Sequence, residues 1–376
     1  MNTNTIYVGM DVHKESFSLC CYSIEKDEAS HQQKIGADYR LILKYLGSMR
    51  GVFGEDTEFV CGYEAGCLGF TLYRQLTDLN VKCIILAPTT MMAEQGRKRI
   101  KTDKRDAVLI ARCLAYHTYH AVHIPTEQDE QIKEYIRMRD DHRLALKKDK
   151  QQILSFCLRH GFQYTETNSR WTQAHINWLR KLELEGLYQE TMAEYLMTFD
   201  RLTEVIERLD KRIAGLAEQD TYRSNVKKLT CFMGVKTQTA LAVLVEVGDF
   251  NRFARAENIA AYIGLVPGED SSGGDKQRLS ITKAGNTHVR RLLIEAAQSY
   301  SRGVVGYKSK ALKERQEGNP PEVIAYADKA NTRLRRRYYH MILQNGRKAN
   351  VAKTAIAREL MCFMWGMVTG NIEARI

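Results

Sequence analysis

Nine apolar residues, Tyr188, Met192, Tyr195, Phe199, Leu202, Ile206, Leu209, Ile213 and Leu216, follow one another at alternating steps of four and three. Only a helix puts such residues on one line, and a seam of about four heptads asks for a partner helix along its length. A long helical element therefore occupies the middle of the chain. An intermolecular coiled-coil arm is the first expectation. An antiparallel hairpin with the preceding helix, near Ile132–Phe156, is the second.

Upstream of the seam, strand and helix signals alternate from Ile6 to about His123. A β-branched run climbs from Ile6 to Asp11, and Phe17–Ser23 reads as a second strand hairpinned to it through Val12–Ser16. Tyr39–Leu46 is a short amphipathic helix, and Thr57–Tyr63 is a strand ending at Glu64. Phe70–Leu79 reads as helix and Val81–Leu86 as a buried strand stopped before Pro88. Another helix opens near Thr102-Asp103 and runs through Cys113. Such alternation predicts an α/β sheet covered by helices. The expected domains are residues 1–125 (α/β), 126–220 (helical coiled coil) and 221–376 (mainly α).

In the last of these, Leu229–Leu241 is apolar at helical spacing around a turn at Gly234 and resembles a helix-hairpin-helix. Lys236 stands where such a turn has its second glycine, as a phosphate-contacting cation. A helix over Asn258–Val266 comes next, then a polar, glycine-rich loop from Pro267 to Arg278 that contains Ser271-Ser272-Gly273-Gly274. Thr282–Arg291 opens an amphipathic helix, and the helical tail carries a basic face around Arg333, Arg335, Arg336 and Arg337.

With 376 residues and 44% apolar content, the chain is long enough for two or three folded domains and too apolar for disorder. Its Lys and Arg exceed its Asp and Glu by 11, which favours a polyanionic partner. The nine cysteines include no C-x-x-C pair, which excludes the usual zinc sites and suits buried thiols in a reducing compartment. A secretory leader and an apolar run of membrane-spanning length are both missing from the sequence, so the expectation is a cytoplasmic protein with no membrane partner.

Asp11 and Glu64 each end a strand, and Asp103 and Asp106 lie three apart on one helix face. Singly, each has an ordinary role: a strand end, a helix cap, an acid in a helix's first turn. Together they form an oxygen-only donor set suited to Mg²⁺ or Mn²⁺, and two such ions stabilise both attacking and leaving oxygens in phosphodiester chemistry. Arg97, Lys98, Arg99, Lys101, Lys104 and Arg105 surround Asp103 and are candidate contacts to a phosphate backbone.

Gly-Met-Asp11-Val-His-Lys, Tyr-Glu64-Ala-Gly and Lys-Thr-Asp103-Lys-Arg-Asp106-Ala resemble the DEDD signature of the insertion-sequence 110 family of transposases. The glycine hairpin at Gly234, Ala-Tyr-Ile-Gly-Leu-Val-Pro267, the Ser-Gly-Gly loop and Thr-Lys-Ala-Gly-Asn286 resemble the same family's second domain. The resemblance implies an amino-terminal domain with a ribonuclease-H-like fold, similar to the RuvC junction resolvase. It implies a recombinase that mobilises its own element, with Mg²⁺ held by the four acids and a serine that becomes joined to DNA. It also implies a structured non-coding guide RNA.

That serine precedes a glycine in the family; counting from Pro267 favours Ser272, with Ser271 as the fallback. With no Ser-His-Asp arrangement near the loop, activation is assigned to the metal site. The two domains, from one chain or from the partners of a dimer or tetramer, must then meet over DNA. Lys276, Arg278, Lys283, Arg290 and Arg291 are further candidate DNA contacts. A hydrolytic junction nuclease and a non-catalytic DNA-binding protein are the alternatives, and the serine loop is what separates them.

Overall fold

Strand β1 (Thr5–Val12) alternates its faces so that Ile6, Val8 and Met10 are buried on one side and Gly9 on the other. The computed structural model describes residues 5–66, 68–88, 91, 103–272 and 275–372, and the side chains of residues 103, 104 and 269–279 lie outside that description. Within it the chain divides into two units, Met1–Ile124 and Pro125–Ile376.

In the first unit, β1 pairs antiparallel with β2 (Ser16–Ser23), which pairs antiparallel with β3 (Glu28–Gly36). After α1 (Tyr39–Phe53), β4 (Glu58–Glu64) joins the other side of β1 in parallel. Helix α2 (Thr71–Thr77) then returns the chain to β5 (Lys82–Leu86), parallel to β4, giving the order β3-β2-β1-β4-β5. One face of this sheet is covered by Ile42, Tyr45 and Leu46 of α1 and by Leu72 and Leu76 of α2. The other lies under α3 (Asp103–Ala115), whose Ala111 and Ala115 pack on Tyr22. The mixed sheet followed by a mostly helical remainder fits the ribonuclease-H-like expectation. β3 is an addition to the sequence reading, and α1 runs seven residues beyond the expected Leu46, to Phe53.

The second unit begins with α4 (Glu127–Arg159), α5 (Gln173–Arg180) and α6 (Leu187–Ala217). Ile132 and Ile136 of α4 share a core with Ile213 and Leu216, whereas Ile153 and Phe156 share one with Met192 and Phe199. α4 and α6 are therefore antiparallel, and Met192, Phe199, Leu202, Leu209, Ile213 and Leu216 of the seam are buried within the chain, while Tyr188 stays 54% exposed. Arg139 locks the pair with two hydrogen bonds to Asp210, at 2.7 and 2.9 Å. The hairpin, second among the expectations, is the packing observed within the chain.

The helices α7 (Asp220–Leu229), α8 (Thr237–Val247), α9 (Ala256–Tyr262), α10 (Thr287–Ala297), α11 (Lys310–Gln316), α12 (Pro321–Tyr339) and α13 (Ala349–Thr369) build the rest. Their shared core includes Leu241, Val243, Leu293, Ala327, Leu334, Ile356 and Leu360. Between α9 and α10 the chain forms an antiparallel hairpin, β6 (Pro267–Ser272) and β7 (Asp275–Ile281), where the sequence suggested a loop. The turn around Gly234 is turned inward: Cys231, Phe232 and Val235 are fully buried, and the Met233 N–H donates to Asn331. That amide serves the fold, as in any glycine turn between two core helices, and the helix-hairpin-helix likeness stays one of sequence pattern. No helix among the described residues is long and apolar enough to cross a membrane.

His175 of α5 is fully buried among Tyr164, Trp171 and Trp178. The Trp171 backbone N–H donates to its Nδ1 at 3.3 Å, and Nε2 has no hydrogen-bond partner. Burial, helped by the Arg170 charge, holds the imidazole below its ordinary range near 6.5. The unfolded chain therefore takes up a proton before the folded one does. The contribution is complete above about pH 6.5 and is lost as pH falls, by up to about 1.4 kcal/mol per pH unit. The urea midpoint of the wild type should drop between pH 7.5 and 5.5 more than that of His175→Phe. Parallel pH profiles for the two would contradict this account.

Candidate active site at the strand ends and the serine hairpin

The site in the first unit follows from one close approach. A Cβ built on Gly9 would lie 2.0 Å from the Ala107 carbonyl oxygen and 2.4 Å from the Ala111 nitrogen. Only glycine lets α3 sit this low on β1, and a Cβ on Gly62, which pairs with Gly9, would meet Leu114 at 2.8 Å. The far end of α3 is fixed beside the start of β1. Ala111 and Ala115 pack on Tyr22, the register partner of Tyr7, and Tyr116, just past the helix, donates to Asp27 at 2.9 Å. The first turn of α3, with Asp103 and Asp106, thus points to the end where β1 and β4 finish. There, one step past the last parallel pair Met10–Tyr63, stand Asp11 and Glu64.

Asp11 is 15% exposed and accepts a hydrogen bond from His13 Nε2 at 3.1 Å. Glu64 is exposed and Asp106 half-buried. The four acids therefore belong to one edge of the unit, the carboxyl end of parallel strands, where α/β sheets commonly carry their ligands. Among the described residues no three His, Cys, Asp or Glu side chains lie within a common ligating distance, and the Asp103 side chain is outside the description. By donor chemistry and position the set fits a hard divalent ion. Burial pushes the thiols of Cys20, Cys21 and Cys231 up to about 11, which leaves these three poor nucleophiles.

In the second unit, Ser271 pairs with Lys276 and Ser272 with Asp275, the last pair before residues 273–274. Ser272 thus stands at the tip of a hairpin. Its base is tightly fixed: a Cβ on Gly264 would lie 2.1 Å from the Ala284 oxygen, and one on Gly285 would lie 1.8 Å from the Tyr262 oxygen. Arg290 donates to the carbonyls of Ile263 and Ala284 at 2.9 and 3.2 Å, clamping both stems. Asn286 caps α10 and donates to Glu246 at 2.7 Å, and Glu246 also receives a bidentate pair from Arg137 at 2.8 and 3.0 Å.

The candidate DNA contacts divide accordingly. Lys236 and Lys283 are exposed cations, and Arg105 is exposed on α3. Arg290 and Arg291 are engaged within the fold, the second with Asp140 and Glu295. Lys276 and Arg278 lie on β7 and Lys104 on α3, with side chains outside the described residues, as are Arg97, Lys98, Arg99 and Lys101 altogether. Gly9, His13, Glu246 and Arg137 escaped the sequence reading. A glycine two residues before a strand-ending acid, with alanines four apart on the covering helix, is the signal that would have found the first.

The mixed sheet and its helical sequel fit a nucleic-acid-processing enzyme, and the comparisons with known proteins give the class, a DNA transposase. Residues 226–312 match the family described as transposase IS116/IS110/IS902, and residues 8–162 match the DEDD family of IS110 type, described as transposase. The transposase for insertion sequence element IS1533 of Leptospira borgpetersenii is 33% identical over 344 residues, 89% of this chain and 96% of the relative. Protein y4qE of Sinorhizobium fredii is 35% identical over 362 residues, 96% and 88% of the two chains. The pilin gene-inverting protein of Moraxella lacunata is 25% identical over 209 residues, 54% and 55%. The chain belongs to the IS110 family of insertion-sequence transposases.

Proposed function

We propose that this transposase cuts and rejoins DNA at specific sites through a serine nucleophile, Ser272, working with a divalent metal site of Asp11, Glu64, Asp103 and Asp106. What supports the reading is that paired strands β1 and β4 run out to Asp11 and Glu64 and that α3, which opens with Asp103 and Asp106, packs over β1 with its first turn toward that end, in a chain whose other unit holds two serines at a hairpin tip. Ser272 Oγ bonds to the scissile phosphorus, the bond to one deoxyribose oxygen breaks, and the serine proton ends on that oxygen. Attack by a hydroxyl of a second strand reverses the step and frees the serine. Mg²⁺ or Mn²⁺, when bound, supplies charge stabilisation at the reacting oxygens. His13 holds Asp11 in orientation, and Arg105, Lys236 and Lys283 are offered to the phosphate backbone. The name of the Moraxella relative, a gene inverter, supports conservative exchange of strands rather than simple cutting.

Three further parts rest on the family resemblance. They are a structured non-coding RNA that selects the sites, assembly as a dimer or tetramer, and action in the cytoplasm. The net charge of +11 suits the first. A water-using junction nuclease is the second reading; the serine hairpin speaks against it.

Strand cleavage should require added Mg²⁺ or Mn²⁺ and stop with a chelator. Asp11→Asn should lower it by about 10²–10³ with folding unchanged by circular dichroism. Full cleavage in the presence of chelator would sink the metal assignment.

A further inference from the structure

From Lys329 to Arg358 the sequence has nine Lys and Arg and not one Asp or Glu. Helix α12 sorts the first of these by its 3.6-residue turn. Arg335 is 6% exposed and faces inward with Leu334 and Tyr338. It donates to the carbonyls of Val304, Tyr307 and Ser299 at 2.6, 3.3 and 3.4 Å, so the expected basic face loses this member to the fold. Lys329, Thr332, Arg333, Arg336, Arg337 and His340, together with Asp328, whose carboxylate is paired with Lys308, instead line an outer groove of about 690 Å³. That lies within the ~300–1,000 Å³ range of sites for sizeable ligands and exceeds what one phosphate needs.

Glu359 of α13 takes hydrogen bonds from Arg333 Nε and from Arg337 Nη1 at 2.7 Å, which holds both guanidinium groups upright beside the groove. Lys329 and Arg336 have no acidic partner among the described residues. The groove ends where α12 passes into a π turn, His340–Gln344, a widening often found at functional positions. Because Val323, Tyr326, Ala327, Ala330 and Leu334 bury the other face, α12 presents its charged flank outward. Lys329 to Arg336 spans about 10 Å, roughly three phosphates of one strand.

We propose that this flank of α12 is a track for the sugar-phosphate backbone of duplex DNA, contacted without regard to sequence. The proposal rests on the chain's being a DNA transposase and not on Ser272 as nucleophile. Binding of full-length protein to a fixed duplex is measured against salt, for the wild type and for Lys329→Ala/Arg336→Ala, which leaves Glu359 its partners. Loss of two phosphate contacts should reduce the slope of log K against log salt by about 1.8 and weaken binding about 30-fold at 0.15 M. Arg336→Lys should keep the wild-type slope. At saturating DNA the double variant should still form whatever covalent adduct the wild type forms, which separates this surface from the chemistry. An unchanged slope overturns the proposal. So does an equal loss in Lys211→Ala/Arg212→Ala on α6, which would make the effect one of net charge. A loss seen with RNA of the same sequence but not with duplex DNA also overturns it.

Discussion

Ser272→Ala should abolish the covalent protein–DNA species on a denaturing gel, a drop on the order of 10⁴–10⁶, the scale seen when a nucleophile is removed. The hairpin register explains why its neighbour does not substitute. Ser271 and Ser272 hold successive register positions, opposite Lys276 and Asp275, and successive positions of a strand alternate between faces. Ser271→Ala should therefore keep the adduct, and both variants should bind duplex within about twofold of the wild type, since no charge is lost. The base of the hairpin is closed by Gly264, Gly285 and Arg290, and an alanine at the tip leaves those contacts in place. An adduct that survives Ser272→Ala and disappears in Ser271→Ala moves the assignment by one residue. Cleavage with no adduct in the wild type would instead return the chain to the water-using reading.

The second large effect falls on a residue with no side chain. Gly9→Ala should destabilise the first unit by on the order of 3 kcal/mol, because the added methyl meets backbone atoms of α3 at 2.0 and 2.4 Å. Backbone cannot swing aside as a long side chain does, so α3 must lift from β1 and carry Asp103 and Asp106 with it. A shift of about 1 Å at a reacting centre costs on the order of 10²-fold in rate. Gly47 gives the control: a methyl there meets nothing within 4 Å, and in the middle of α1 alanine should raise stability by roughly 1 kcal/mol. Thermal unfolding and strand cleavage measured on both variants test the pair. Retention of wild-type melting and cleavage by Gly9→Ala would refute the seating of α3.

β1, β4 and β5 were legible from their β-branched and aromatic residues, β2 from its apolar stretch Leu19–Tyr22, and α3 because its apolar residues keep helical spacing. β3 was not. Its sequence, Glu28–Gly36, is almost wholly polar, as an edge strand with both faces near solvent allows, and nothing in it alternates. The hairpin of β6 and β7 hid for the same reason, although the two glycines between Ser272 and Asp275 are a known tight-turn signal. The seam of α6 identified a helix and two possible partners. Choosing the chain's own α4 required seeing which ends of the two helices share a core. Asp11, Glu64, Asp103 and Asp106 were legible as acids, but the seating of α3 that carries the last two depends on Gly9, whose role is a property of the space above it. Arg290 and Arg291 looked like surface cations; carbonyls and Asp140, distant in sequence, hold them.

The division at Ile124–Pro125 places every metal-binding candidate on one side and both serines on the other. On the reading proposed above, this is an interlock. On that reading neither unit alone has the full set of reacting groups, so a chain divided at Ile124–Pro125 yields two pieces that each lack part of the chemistry.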